Sequence, residues 1–543
     1  MPERRGDYHG RRAVPAVSPG ARAVLRAGAA LALALAIALA LRLAPLATGA
    51  GGERVADSAF HMRMIEEVLA RGRVPALDPL CEAPEGRAML PLEDAAPPLL
   101  ASPRLRRSAP ARAASNVSRQ GPPAIRTSSN PRSYPVSSNG LPEVVILSGA
   151  RTPMAEWIGG KRGDGLPGGA LASVSAIDLG AAAARAALSR AGVTPETIDH
   201  AVFGNALQTS GDAIYGARHV ALKAGVPKEV PALTVNRLCG SGIQSIANAA
   251  QMIQLDEASW VLAGGMENMS QAPHVLRGAR AGIRLGPGST LEDSLFVALR
   301  DSFCGLFMAQ TSDNLARKFG ITREQQDEFA LRSHRLGNEA NTNGRFAEEV
   351  IPVEVKQGKK TAMVDKDDHL FPSTTIEKLA SLPPAFGPES FVTAGNASGV
   401  VDGAAAVVVT SAAKAKAAGK KPLGFVRAWV SVGVEPATMG IGPAPAIRKV
   451  LERAGLKLDQ VDLFEINEAF SGQFLAVEKD LGLSRDKVNV NGGAIALGHP
   501  LGATGTRLVY TLLLELAKRN KRWGIASACI GGGQGIAMLL ERT

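Results

Sequence analysis

Aromatic residues are scarce in this chain: Phe, Trp and Tyr together make up 4% of its 543 residues. A surface that stacks on unpaired bases needs more of them, so no single-stranded nucleic acid is expected as a partner. Cysteine is rarer still. Cys81, Cys239, Cys304 and Cys529 are the only four, and none is spaced for a zinc site or a disulfide framework. No metal is therefore expected, and the plain reading of such usage is reduced thiols in a cytosol-like compartment. Lysine is missing from residues 1–142, where 19 Arg stand against 11 acids, so this stretch carries +8 of the net +11. The body of the chain is left at +3 with its charges interspersed, which gives no basic face for nucleic acid.

Glycine is plentiful at 59 residues, hydrophobic residues make 45% and charged residues 20%. That balance suits a large, tightly packed α/β protein whose backbones approach closely, and the length allows three or four average domains.

The composition breaks near residue 142. Residues 1–142 read as an extension of unlike pieces. Residues 1–22 are polar and basic. Residues 23–50 hold an apolar run, Ala27 to Leu41, that Arg42 interrupts. It is short for a full membrane span, and reads as a transmembrane helix, a signal-peptide core or an extension of the reading frame. Residues 100–140 are rich in Arg, Ser and Pro, with no acid between Asp94 and Glu143. This is the composition of a transit peptide but it lies too far inside the chain, so it is read as a disordered linker.

From residue 143 short apolar strands alternate with helices, which predicts mostly parallel sheets covered on both faces. Val144–Leu147, Ala201–Gly204, Val261–Gly265 and Val400–Val409 read as strands, and Ala176–Ala191 as a helix stopped by Gly192. Residues 266–390 are more polar and read as an inserted loop domain, with a helix over Arg323–Asn341 opened by Thr322. The organisation expected is a first domain over 143–412, a break at Ala412–Lys421 and a second domain over 420–543. The two echo each other. Cys239 precedes Gly-Ser-Gly and a helical run over Ile243–Ile253, and His499 precedes Pro-Leu-Gly and a run over Thr506–Leu516. A duplicated fold would set these turns as counterparts across a pseudo-twofold axis.

Two thiols and an imidazole at glycine-rich turns are the parts of acyl transfer through a thioester. Cys239, in Asn236-Arg237-Leu238-Cys239-Gly240-Ser241-Gly242, opens a helix whose N-terminus is expected to lower its pKa. Taken alone, such a cysteine is more often a small buried hydrophobe. His499, in Gly498-His499-Pro500, is placed to deprotonate it. Cys529 ends a strand ahead of three glycines and suits proton transfer at a substrate carbon, against the plainer reading of a tight turn with an incidental thiol. Asn467 could hold a water that bonds a developing oxyanion, while Glu468 either orients the site or caps the following helix.

These motifs, with Gly149–Pro153, Gly264–Pro273, Thr393–Gly399 and Asn489–Gly505, resemble the thiolase family along residues 143–543. The nearest likeness is to 3-ketoacyl-CoA thiolases, with acetyl-CoA acetyltransferases close behind. The resemblance implies two similar halves stacked as five αβαβα layers, a loop domain over the coenzyme A site, and a homodimer or homotetramer. It implies acyl-CoA and CoA as substrates, no separate cofactor, and thiolytic cleavage of 3-ketoacyl-CoA or the reverse condensation. Cys239 would hold the acyl group, His499 activate it, Cys529 act as general acid and base, and Asn467 hold the oxyanion-hole water with His499. The N–H groups of Cys239 and Gly531 would form a second oxyanion hole. Ser398, Ala397, Met308, Phe386 and Phe470 would line the pantetheine channel. Phe307-Met308 stands where acetoacetyl-CoA thiolases often carry His-Met, which points to broader 3-ketoacyl substrates.

Rival readings are an acetoacetyl-CoA-specific enzyme, a condensing enzyme of the ketoacyl-carrier-protein type and a non-catalytic lipid-binding protein. The condensing enzymes use Cys-His-His, whereas this chain has Asn467 and a second thiol. Residues 57–80 within 25–95 also resemble the first external loop of membrane oligosaccharyltransferases, but the piece is short and no activity is assigned to it. Because Arg4, Arg5, Arg11 and Arg12 favour a cytoplasmic N-terminus, insertion of residues 23–50 would place the enzyme outside, away from coenzyme A. Membrane contact there is therefore not expected to be a working anchor. A cytoplasmic location, or an organelle matrix in a eukaryote, is expected.

Overall fold

The computed structural model describes residues 140–159, 168–283 and 290–543. The expectations for residues 23–50, for the linker at 100–140, for the segment 57–80 and for Cys81 lie outside these residues.

The framework is one mixed sheet. Its strands are β1 (Val144–Arg151), β2 (His200–Gly204), β3 (Ala232–Val235), β4 (Trp260–Glu267), β5 (Val401–Ser411), β6 (Gly424–Gly433), β7 (Leu463–Ile466), β8 (Trp523–Ile530) and β9 (Gln534–Arg542). Their order is β7-β8-β9-β6-β1-β5-β4-β2-β3, and the two-residue strand Ala155–Glu156 pairs with the start of β5. The order is a palindrome of roles about the β1–β6 contact. On one side run β1, β5, β4, β2; on the other β6, β9, β8, β7. Each side pairs antiparallel twice, then parallel. Both central strands even carry a bulge, at Ile146/Ser148 and at Val426/Ala428. The duplication legible in the motifs is thus present in the strand order.

The expectation of mostly parallel sheets is corrected. Among the described strands of this sheet only β2–β3, β2–β4 and β7–β8 pair parallel; the long central strands are antiparallel. Helices on both sides bury even these strands, so they read as unbroken apolar runs, which is the signature otherwise associated with parallel sheets. β5 is buried at all eleven positions.

Helices supply the other layers. They are α1 (Ala176–Ala191), α2 (Gly216–Lys223), α3 (Ser241–Gln254), α4 (Met308–Phe319), α5 (Arg323–Thr342), α6 (Pro443–Ala454), α7 (Ser471–Leu481) and α8 (Leu501–Lys518). α1 and α2 cover the outer face of the first half, α6 covers that of the second, and α3 and α8 pack together between the halves, giving five αβαβα layers. Local signals match these bounds. Ser175 caps α1 through the Asp178 N–H, Gly192 ends it at φ 60°, and Thr322 with Gln325 forms a capping box on α5. The α4 helix was not read from the sequence. The loop region is tied to β1 by Arg151, fully buried between Glu349 at 2.9 Å and Asp367 at 2.6 Å.

The close approach of α3 and α8 depends on glycine. A Cβ on Gly242 would lie 2.4 Å from Thr506 N, and one on Gly265 would lie 1.8 Å from Gly502 O. Any side chain at these positions would push the two central helices and β4 apart.

Candidate active site

Cys239 lies in a single 3₁₀ turn, Leu238–Gly240, between β3 and α3. The turn is held by side chains. Leu238 takes φ 47°, unusual for a non-glycine residue, and its N–H donates to Asn236 Oδ1 at 2.9 Å. Ser241 Oγ accepts the Arg237 N–H at 2.9 Å and donates to Leu238 O at 2.7 Å. Arg237 reaches Gln244 at 2.8 Å and, from the other half, Gln534 at 2.9 Å.

Cys239 is partly exposed, yet its pKa runs against the low value expected at this helix start. Burial pushes the Cys239 thiol up to about 11, outweighing the N–H groups of Gly531 and of Cys239 itself that pull it down. A helix N-terminus favours a thiolate by a fraction of what desolvation costs it. Gly531 follows β8, so its N–H brings the second half onto a nucleophile carried by the first.

Cys529 is the penultimate residue of β8, paired with Gly535 of β9 across a tight hairpin. Its side chain is fully buried against Met439 and Ala469, with Met308 and Phe470 closing over them. Burial, and then the neighbouring Cys239, push its pKa far above the usual thiol range. Cys239 lies close enough to oppose the ionisation of Cys529.

His499 precedes α8 and is buried. Thr504 Oγ1 donates to Pro500 O at 3.0 Å, so its lone pair is free to accept Nδ1–H of His499 at 2.6 Å. The imidazole is thereby held with its proton on Nδ1 and its lone pair on Nε2, which accepts Nδ2–H of Asn467 at 3.2 Å. Burial, then Arg507, lower its pKa to about 3, so it rests as the neutral base. Asn467 follows β7, with its N–H on Ser527 O at 2.9 Å and its Oδ1 without a protein partner.

Glu468 does not cap α7. Its Oε2 accepts from Ser333 Oγ at 2.6 Å and from the Ile495 N–H at 3.3 Å, and its Oε1 from Asn489 Nδ2 at 2.8 Å. It ties α5 and the segment before His499 to the end of β7.

Sequence reasoning missed Glu267. This buried carboxylate at the end of β4 accepts from the N–H groups of Ala206 (3.0 Å), Leu207 (2.9 Å) and Gly502 (2.9 Å), and from Asn205 Nδ2 at 2.8 Å. It fastens the first turn of α8 to the half that carries Cys239. Burial raises its pKa to about 7 against those donors. The signal was an acid ending a buried strand, which is rare without partners.

The five channel residues fall into two groups. Ala397 bridges to Phe470, and the Ser398 N–H donates to Ala469 O at 3.0 Å. Met308 lies against Gly531, where a Cβ would meet its sulfur at 3.2 Å. Met308 and Phe470 pack on the cluster that holds Cys529, and Ala397 and Ser398 join it through Phe470 and Ala469. Phe386 stands apart, 5.5 Å from Phe307, which in turn lies 4.7 Å from Phe296. Phe307 directly precedes Met308 and joins the groups. A cavity of about 570 Å³ lined by Arg332, Arg345 and Glu515 contains none of these residues. Among the described residues no cluster of three or more His, Cys, Asp or Glu could hold a metal, and no helix is long and apolar enough to cross a membrane.

Residues 144–413 match the family described as thiolase, N-terminal domain, and residues 420–542 match thiolase, C-terminal domain. The human mitochondrial 3-ketoacyl-CoA thiolase is 50% identical over 400 residues, 74% of this chain and 98% of the relative. The acetyl-CoA acetyltransferase of Escherichia coli K12 is 48% identical over 399 residues, 73% and 98% of the two chains. The crystal structure of the human mitochondrial enzyme in complex with CoA superposes with a TM-score of 0.70 at 49% identity, covering 74% of this chain and 98% of that one.

Proposed function

The chain belongs to the thiolase family, and on that premise we propose how its residues divide an acyl transfer between coenzyme A thioesters. It is an acyltransferase of the acetyl-CoA C-acyltransferase type. The Cys239 sulfur attacks the 3-keto carbon after giving its proton to His499 Nε2. The C2–C3 bond breaks, and its electron pair goes to C2 of the leaving acetyl-CoA, which takes a proton from Cys529. The proton held by His499 then returns Cys529 to its thiol. Free CoA gives its proton to the neutral His499 and attacks the acyl-Cys239 thioester, and the released Cys239 sulfur takes that proton back from His499. Reversal gives the condensation. The observation that carries this reading is that Cys239 lies under the Gly531 N–H and beside Cys529, both supplied by the opposite half.

Burial fits the roles. A thiol held far above the neutral range stays protonated and ready to donate, which suits Cys529. A neutral His499 can accept a proton, which an imidazolium cannot. That the N–H groups of Cys239 and Gly531 both bear on the Cys239 thiol supports their serving an acyl oxygen carried there, and the Asn467–His499 bond supports that pair serving the other oxyanion. No separate cofactor takes part, coenzyme A being a substrate.

Met308, Ala397, Ser398, Phe470 and Phe386 are assigned to coenzyme A and the acyl group. The apolar wall of Phe296, Phe307 and Phe386 supports 3-ketoacyl chains longer than acetoacetyl. A homodimer or homotetramer is supported by β3, an edge strand with no partner on its outer side among the described residues, where Leu233 is 40% exposed and Ile214 and Tyr215 are exposed too. The human relative's name, which says mitochondrial, supports an organelle matrix as the compartment.

Mixing the protein with acetoacetyl-CoA and CoA and following loss of the enolate absorbance tests the reaction. A series of 3-ketoacyl-CoA substrates tests chain length. Turnover by wild type that vanishes in Cys239→Ala is expected; full turnover by Cys239→Ala would sink the assignment.

A further inference from the structure

Arg507 is an under-satisfied cation deep in the interior. Its side chain is 1% exposed and donates from Nη1 to Glu465 Oε2 at 3.0 Å, while Nε and Nη2 have no protein partner. A guanidinium buried with two idle N–H edges is costly, and an apolar pair of similar volume would serve packing as well or better. Its position therefore asks for another reason.

The pair forms a second rung below the His499–Asn467 bond. Glu465 and Asn467 are two residues apart at the end of β7 and share a face. Thr504, which holds His499 Nδ1, and Arg507 are three apart on α8 and share its buried polar side with Thr511 and Glu515. One helix and one strand are thus joined twice, at 3.2 Å by the imidazole and amide and at 3.0 Å by the ion pair.

We propose that Arg507 and Glu465 are positioning residues for His499: their bond, one rung below, holds α8 against the end of β7 at the spacing at which the imidazole meets Asn467. This rests on His499 being the base of the proposed reaction. After burial, the Arg507 charge is the cause that lowers the His499 pKa. Other charged groups around the site have donors of their own. Glu468 is held by Ser333, Asn489 and the Ile495 N–H, and Glu267 by four N–H groups near Gly502. Burial raises the Glu465 pKa to about 8 against the pull of Arg507, and Glu349 and Glu515, which bear on it, pair with Arg151 and with Arg345 and Arg519. Cys239 and Cys529 rest as neutral thiols.

The test compares wild type, Glu465→Gln, Arg507→Lys and the double variant Arg507→Met/Glu465→Gln. The readout is the pH profile of kcat/KM for thiolysis, with KM and thermal unfolding measured alongside. Removing the charge lets the imidazole protonate more readily, so the double variant should gain an acid limb about one pH unit or more above any in wild type. His499, whose pKa starts at about 3, stays neutral at about pH 7 in the double variant, so kcat there reads the lost rung: it should fall about tenfold with KM changed less than about twofold. Arg507→Lys, which keeps the charge, should retain the wild-type limb. Glu465→Gln keeps the shape and the charge of Arg507, and should show no upward shift of the limb. A folded double variant with the wild-type profile would overturn the proposal. If the double variant does not fold, an acid limb raised in Glu465→Gln or in Arg507→Lys overturns it equally. Absence of turnover by wild type would instead count against the thiolase chemistry itself.

Discussion

Replacing Thr504 by valine isolates what one hydroxyl does for the base. Valine keeps the branched shape and removes the oxygen that accepts the His499 Nδ1–H at 2.6 Å and donates to Pro500 O at 3.0 Å. Residue 504 is 1% exposed, so solvent does not replace the acceptor. A buried donor left unpaired costs about 1–3 kcal/mol. The imidazole can escape that cost by moving its proton to Nε2, but then the lone pair facing Asn467 is lost and the residue no longer acts as a base. Either way the working form is disfavoured by about 1.4–2.7 kcal/mol, or about 10- to 100-fold in rate. A carboxylate in the same orienting role is worth about 10⁴ in serine proteases, so a neutral hydroxyl should be worth less. Steady-state thiolysis should therefore show kcat down about 10- to 100-fold with KM within about threefold. The melting temperature should drop by a few degrees. A Thr504→Val enzyme within about twofold of wild type in kcat would refute the tautomer argument.

Three further outcomes follow from the same geometry. Gly242→Ala places a Cβ 2.4 Å from Thr506 N, so denaturant unfolding should show a loss of about 3 kcal/mol or more; a change below about 0.5 kcal/mol would show that α3 and α8 can separate freely. Cys529→Ser should lower thiolysis about 10²–10⁴-fold while Cys239 still reacts with iodoacetamide, and a matching loss of alkylation would point to a structural role instead. Because burial holds the Cys239 thiol up at about 11, its alkylation rate in the free protein should still be climbing at pH 10, and a plateau near pH 9 would contradict it. The same sign sets a stability trend. Above about pH 8.5 the unfolded chain releases thiol protons that the folded chain keeps, so stability falls as pH rises toward 11.

Helix and strand positions were legible where local chemistry decides them. α1 runs over the residues that its apolar spacing and Gly192 predict, and α5 starts at Thr322 because that hydroxyl and Gln325 satisfy the first N–H groups. α4, Met308–Phe319, was missed because it lies in the polar stretch read as loop, and its buried face mixes Thr311, Ser312 and Asp313 with Ala309, Leu315 and Ala316. Strand direction was misread because β5 and β8, covered on both faces, show no alternation to separate antiparallel from parallel pairing. Within the site, Cys239, His499 and Cys529 announced themselves by reactive side chains at glycine turns. Glu267, Thr504 and Arg507 did not, because each acts through a partner 5 to 235 residues away in sequence.

The sequence by itself determined the family, the duplicated order of elements and the reactive groups, since these depend on residue type and local spacing. Tertiary structure alone decided the protonation of those groups. A cysteine at a helix start reads as a thiolate until burial is known, and burial here outweighs the helix and leaves Cys239 neutral. His499 reads as a titrating residue until Thr504, Asn467 and Arg507 surround it and hold it as a base. Solvation and the nearest charges set a proton's position, and both depend on residues that only the folded chain brings together.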